Sequence, residues 1–254
     1  MTSGAARVTR HLALEREAVF VRVDITELFT AYLAHVNRWV GTPDGLALTM
    51  MRQALGGAIM HIATRPPEES VAWTLNIQKP PLNLFFTARN ADSSVAGRVF
   101  TENVRTTAMS RLFVESLSPQ KPEPIRSTID VRGLDVLQIF EQYYERSEQT
   151  GARFFELAEY DLLMVQGLPD VDEKWLASLD RDSACEHASN SARLVDEREF
   201  EFRCGCDAQR MLSVMRGLYE GKEDELFQGD DSVEVFCPRC GHRWSILRKD
   251  FSIE

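Results

Sequence analysis

The sequence predicts an α+β protein: an N-terminal mixed α/β domain, a helical or flexible linker, and a small C-terminal metal-binding domain. Three observations carry this. Apolar residues alternate between helical and strand periods over the first 166 residues, acids and small polar residues dominate 167–199, and four of the five cysteines fall in the last 51 residues. The predicted segments are therefore 1–166, an acidic linker at 167–199, and a metal-binding domain at 200–254. A chain of 254 residues, 44% hydrophobic and 27% charged, can bury one sizeable core and a small accessory module.

Ile25, Leu28, Phe29, Tyr32, Leu33, Val36 and Val40 recur at three- and four-residue steps and predict a helix, with Asp24 and Glu27 spaced as a capping box. Leu48, Met51, Leu55, Ile59 and Ile62 predict a second helix that stops before Pro66-Pro67. Strand-like runs follow at Val71–Gln78, Leu82–Thr87 and Val95–Phe100, with turns at Pro80-Pro81 and Asn90–Ser94. A further pair is expected at Arg111–Leu117 and Ile125–Val131, then a third helix through Leu134, Leu137, Phe140 and Tyr144, then one strand over Phe154–Val165. From Gly167 to Glu199 nine acids face four basic residues and the apolar content thins, so the segment reads as a solvated loop or a marginal helix. Trp175, Leu176 and Leu179 are its residues able to dock. Short strands at Phe200–Arg203 and Val233–Phe236 each lead into a cysteine pair.

Those pairs are Cys204-Gly205-Cys206 and Cys237-Pro238-Arg239-Cys240, separated by the 30 residues Asp207–Phe236. Short Cys-to-Cys steps let one turn of chain supply two thiolates, and two such turns complete a tetrahedral zinc site. Two structural disulfides are the alternative, which a reducing compartment disfavours. The formal charge of -10, and 11 acids against 8 Arg and Lys from Glu201 to Glu254, argue against a nucleic-acid surface. Met1–Phe20 carries charges throughout and has no apolar run suited to a signal peptide, and no segment approaches a membrane span, so a soluble cytoplasmic protein is expected.

Cys-x-Cys followed by Cys-x-x-Cys resembles the C-terminal redox switch of the heat shock protein 33 family, ATP-independent holdase chaperones. Tyr143-Tyr144-Glu145-Arg146-Ser147-Glu148-Gln149 is similar to that family's aromatic-then-Ser-Glu-Gln segment, and Trp244 stands where the family usually has tyrosine. Departures are Lys79-Pro80-Pro81 after Gln78 in place of a Gly-rich turn, Gly97-Arg98 in place of Arg-Gly, and a shorter linker. The resemblance implies Zn²⁺ on Cys204, Cys206, Cys237 and Cys240. It implies disulfides within each adjacent pair on oxidation, unfolded client proteins as partners, and a homodimer in the oxidised state.

Zinc-held thiolates remain open to strong oxidants, and a module of about 50 residues has too little core to fold without the metal. The main expectation is a dormant chaperone that becomes a holdase when oxidation releases zinc. The rival is a zinc-stabilised interaction protein with a purely structural site. An enzyme is disfavoured: phosphate loops and metalloprotease or nucleophile-elbow motifs are absent, and Cys185 and His187 sit two apart, where helical side chains do not meet. Cys185 reads as an exposed spare thiol, His242 as a substitute ligand at most, and His11, His35 and His61 as isolated surface or core histidines.

Overall fold

Before Ile25 the sequence suggests no element, yet Ala5–Ala13 (β1) and Ala18–Asp24 (β2) form an antiparallel hairpin at the heart of the protein. Charged residues along β1 hide its strand pattern. Arg7 and Arg10 reach across the sheet to Glu197 and Asp196, so they occupy strand positions without breaking the core. The structure is a computed structural model that describes residues 4–251 apart from 105 and 122; the extreme ends of the first and last predicted segments, 1–3 and 252–254, lie outside the described residues.

The helical expectations map closely. Thr26–Trp39 (α1) turns one apolar face inward, with Leu28, Phe29, Tyr32 and Val36 buried. Its expected capping box does not form: Asp24 accepts from the Thr26 amide at 2.9 Å and its hydroxyl at 2.6 Å, because Thr26 is nearer than Glu27. Gly45–Ala63 (α2) is capped by Asp44 and is apolar almost all round, as expected of a helix enclosed on every side. At Gly57 an added Cβ would lie 2.3 Å from Phe140, so glycine is what lets the next helix approach.

Ser70–Gln78 (β3), Pro81–Arg89 (β4), Ser94–Phe100 (β5), Arg111–Leu117 (β6) and Ile125–Asp130 (β7) follow as predicted. Val136–Tyr143 (α3) runs into a π turn at Tyr144–Glu148. This turn gives the aromatic-Ser-Glu-Gln segment a structural task. Tyr143 donates to Glu148 at 2.5 Å, Glu148 also pairs with Arg65, and Ser147 meets Ser127 at 2.7 Å. His61, fully buried, lies 3.0 Å from the Tyr144 hydroxyl through Nδ1 and accepts from Arg65 at 3.3 Å through Nε2.

The single strand expected over Phe154–Val165 is a hairpin, Ala152–Ala158 (β8) and Asp161–Gly167 (β9). Leu162 and Met164 face the main core while Leu163 and Val165 face a second one. Burial on both faces removes the alternation that marks a half-buried strand, and the tight turn at Glu159-Tyr160 lacks Gly or Pro.

The expected linker is ordered. Glu173–Ser178 (α4) and Arg181–Asn190 (α5) start from Asp172 and Asp180 caps. They bury Leu176, Leu179 and Ala184 over Phe20, Phe155, Leu163 and Val165, on the sheet face opposite α1 and α2. Cys185 packs partly buried against that cluster, so it is not the exposed thiol the sequence suggests. Arg193–Phe202 (β10) then enters the main sheet and crosses the boundary drawn between 199 and 200. Strand order is β7-β6-β3-β4-β5-β10-β1-β2-β9-β8. β10 runs antiparallel to β1 from Leu12↔Arg193 to Ala5↔Glu201, and parallel to β5 only at Glu201↔Ser94 and Phe202↔Val95.

Beyond the sheet lie Ala208–Tyr219 (α6), Glu223–Phe227 (α7), the hairpin Ser232–Phe236 (β11) with Arg243–Leu247 (β12), and Arg248–Phe251 (α8). Among the described residues their shared apolar core buries Phe227, Val235, Ile246 and Phe251.

A chain ending near Gln166 lacks the strand that joins β5 to β1, so it should fail to give a cooperative thermal transition, whereas a chain ending after Arg203 should keep one. His61 supplies a second test. Burial holds its pKa well below the ordinary histidine value, with the Arg65 charge adding to this, so the native state stays neutral where the unfolded chain takes a proton. Stability should therefore drop as pH falls below about 6.5, and His61→Asn should flatten that part of the profile in denaturant titrations.

Candidate metal centre

The four predicted cysteines meet. Cys204 and Cys206 leave the end of β10 on a turn whose Gly205 has φ +69°, and Asp207 then caps α6 by accepting from the Arg210 amide at 2.8 Å. Cys237 and Cys240 occupy the β11–β12 turn, closed by Cys237 N–H to His242 O at 2.9 Å and Gly241 N–H to Cys237 O at 2.8 Å. One ligand atom from each of the four lies within 4.8 Å of the others; Cys204 and Cys237 Sγ are 3.6 Å apart, and Cys206 and Cys240 Sγ 3.7 Å. A tetrahedron of sulfurs about 2.3 Å from an ion has edges of about 3.8 Å, so the cluster has the shape of a four-thiolate metal site. All five cysteines are free thiols.

The electrostatics need a cation. Hydrogen bonds from the Cys204 and Cys240 thiols hold Cys237 well below the ordinary thiol range. Cys204 is pushed up to about 12, chiefly by its hydrogen bond to Cys237. Burial pushes Cys206 up, and hydrogen bonds to Cys204 and Cys237 push Cys240 up. The sulfurs thus carry one negative charge easily and four only against a multivalent positive ion.

Sequence reasoning missed the groups that surround the cluster. Neutral His35 donates Nε2–H to the Cys240 carbonyl at 3.0 Å; burial lowers its pKa, and that hydrogen bond opposes the shift. Arg89 donates to the Cys204 carbonyl at 3.4 Å. The Arg98 guanidinium lies against the second cysteine turn, its Cζ 3.5 Å from where a Cβ at Gly241 would sit; burial lowers its pKa and the neighbouring Cys240 and Cys237 oppose the shift. The inverted Gly97-Arg98 pair therefore has a local meaning: Gly97 lets Met51 and the Phe85 carbonyl approach, and Arg98 faces the cysteine turn. Strand parity on β5 was the available signal, but the partner lies 140 residues away.

Other candidates separate from the site. His242 is not in the cluster; it stacks between Trp39 and Trp244, with ring centroids 4.2 Å from each. Cys185 does not join His187, whose Nε2 accepts from the Trp175 indole at 3.4 Å, and burial raises the Cys185 pKa. His11 and His61 also stand apart from the cysteines. No helix among the described residues is long and apolar enough to cross a membrane.

Comparison with known proteins agrees with the architecture. A family model described as Hsp33 protein matches residues 7–246. Curated relatives called 33 kDa chaperonin include one from Aliivibrio salmonicida, 24% identical over 51% of this chain and 53% of its own length. Another, from Methylobacillus flagellatus, is 23% identical over 75% and 77%. The chain thus spans about half the length of the first of these. The crystal structure of the 33 kDa chaperonin from Thermotoga maritima superposes with a TM-score of 0.74 at 13% identity, covering 96% of both chains, a likeness of fold. With the family pattern matched over nearly all its length, the chain belongs to the Hsp33 family.

Proposed function

We propose that the protein is a cytoplasmic, redox-regulated holdase that binds unfolded clients without ATP after oxidation dismantles its metal centre. The observation that carries this reading is the four-sulfur cluster at the base of a module whose apolar core, among the described residues, has four buried side chains. Zn²⁺ suits four thiolates at this spacing, and it supplies folding energy and the charge that keeps all four sulfurs deprotonated. Cys204, Cys206, Cys237 and Cys240 would hold it.

Each disulfide forms as two thiolates give up two electrons to an oxidant such as peroxide or hypochlorite. A tetrahedron sets every sulfur about equally near the other three, so resting distances do not select the pairing. Cys204–Cys206 and Cys237–Cys240 bonds are carried over from the resemblance, and polymer physics favours them in a switch. A Cys204–Cys237 bond would constrain the unfolded module by about 4 kcal/mol and partly replace the metal, whereas a three-residue loop gives about 1.6 kcal/mol.

The apolar surface to be uncovered lies beneath α4 and α5. These helices have six and ten residues, shorter than the roughly 12–15 that stand alone in water, so they persist only while docked. Leu176 and Leu179 are their main anchors, each contributing about 1.5–3 kcal/mol by burial. Release would expose Phe20, Phe155, Leu163 and Val165, a surface suited to unfolded clients and to self-association into a homodimer. The division into sheet domain, linker and metal module is part of this reading, with β10 counted in the sheet.

Purified reduced protein should carry one zinc per chain. Cys237→Ser should lower metal content and open the segment after Phe202 to proteolysis, and full zinc occupancy in that variant would remove the assignment.

Peroxide or hypochlorite should release the zinc, raise binding of a hydrophobic dye and suppress aggregation of an unfolded client without ATP. Cys185→Ser should respond identically. Equal suppression by reduced and oxidised protein would favour a constitutive interaction module with a structural metal site.

A further inference from the structure

β8 closes one end of the ten-stranded sheet and pairs on one side only, with β9. Main-chain groups alternate in direction along such a strand. The Gly151 carbonyl turns inward to the Gly167 amide at 2.9 Å, whereas the Phe154 amide turns outward, so Ala152, Phe154 and Glu156 present their main-chain groups to the open side. Among the described residues one of those groups is answered: Phe154 N–H donates to Glu141 Oε1 at 2.8 Å. The far edge of the sheet is better covered, because Arg146 donates to the Asp130 carbonyl at 2.5 Å and Ser147 of the π turn meets Ser127 of β7.

A trough follows the open side of β8. A cavity of about 510 Å³ lies between Gly151–Glu156 and the acidic face of α3, and a second of about 490 Å³ continues it past Gly151 and Arg153 to Leu176 and Ala177 of α4. Six residues of edge strand span about 20 Å, which leaves room for a strand of like length. The walls carry Asp135, Glu141, Glu145, Glu156 and Glu173. Two arginines answer them: Arg153 binds Glu141 at 3.2 Å, and Arg52 binds Glu156 at 2.8 Å. Glu145 and Glu173 are exposed, and no ion pair among the described residues neutralises either.

We propose that this trough is a docking site for an extended basic segment of another protein, which joins the sheet as a strand beside β8. The added strand takes the open main-chain groups of Ala152 and Glu156, and the excess of acids selects its charge. Its alternate side chains meet unlike walls, the acids of α3 on one side and Leu176 and Ala177 on the other, so basic and β-branched residues should alternate. Glu141 is the resting substitute for that strand. Its carboxylate holds the Phe154 amide where an incoming carbonyl belongs, which blunts the edge against indiscriminate pairing, and Arg153 keeps the carboxylate partnered when it swings aside. The trough is complete while α4 is docked and lies apart from the cysteines, so it is open in the resting protein and does not rest on the holdase reading.

The probe is a fluorescent, acetylated hexapeptide alternating arginine and valine, titrated at low salt into the reduced full-length protein and followed by anisotropy. It should bind, and the double variant Glu145→Lys, Glu173→Lys, altered at two exposed positions, should weaken binding about tenfold. Main-chain pairing has its own readout. Methylating the peptide nitrogens at alternate residues should abolish binding in one register and spare it in the other, since every second amide of an added strand faces away from β8. Amides across 152–156 should exchange more slowly with the peptide bound. Absence of binding, equal binding by the double variant, or equal binding of a peptide alternating glutamate and valine would overturn the proposal. Equal binding of the two methylated forms would overturn it as well, since that is charge attraction with no strand formed.

Discussion

Four thiols within 4.8 Å of one another cannot all ionise without a positive ion between them, and the C-terminal module is arranged around that constraint. Its two cysteine pairs come from unrelated pieces of backbone, the end of a ten-residue strand and the turn of a short hairpin. His35, Arg89 and Arg98 hold the backbone of the two turns, and an ion shared by the four sulfurs would add the charge their meeting calls for. Phe227, Val235, Ile246 and Phe251 add a core too small to replace it, and α6 has no fully buried residue. Folding of the module and charge on its sulfurs are therefore one equilibrium, which is why a site of this kind suits control by anything that alters sulfur.

The sheet domain is stable for the opposite reason. α2 is enclosed by strands and helices, with Trp73 stacked on Phe86 and Phe140 on Phe154, and its arginines pair with acids. Arg52 binds Glu156 at 2.8 Å, and Arg65 binds both Glu148 and His61. This core contains no cysteine. The sheet domain meets the cysteine turns through His35 and Val40 at the end of α1, Arg89 of β4 and Arg98 of β5.

Much of this was legible in the sequence. The four ligand candidates were readable because spacing within each pair is local, and α1, α2, α3 and five consecutive strands followed from periodicity. What was hidden has physical causes. β1 and β10 carry a cross-strand row of arginines and acids that reads as solvated surface until the two strands lie side by side, as Arg10 with Asp196 does at 2.7 Å. β9 is buried on both faces and loses its alternation. The acids of 167–199 do not signal disorder here, since Asp172 and Asp180 are helix caps. His35, Trp39 and Arg98 acquire their roles from residues 140 to 205 positions away, beyond the reach of any local pattern.

The late position of β10 in the chain bears on how the protein is made. Arg193–Phe202 sits between β5 and β1, so a ribosome must deliver about four-fifths of the sequence before the sheet can close. Synthesis at roughly 5–20 residues per second leaves the facing edges of β1 and β5 unpaired for many seconds, the kind of open edge that seeds aggregation. A member of a chaperone family thus passes through its own birth as the sort of chain chaperones exist to catch.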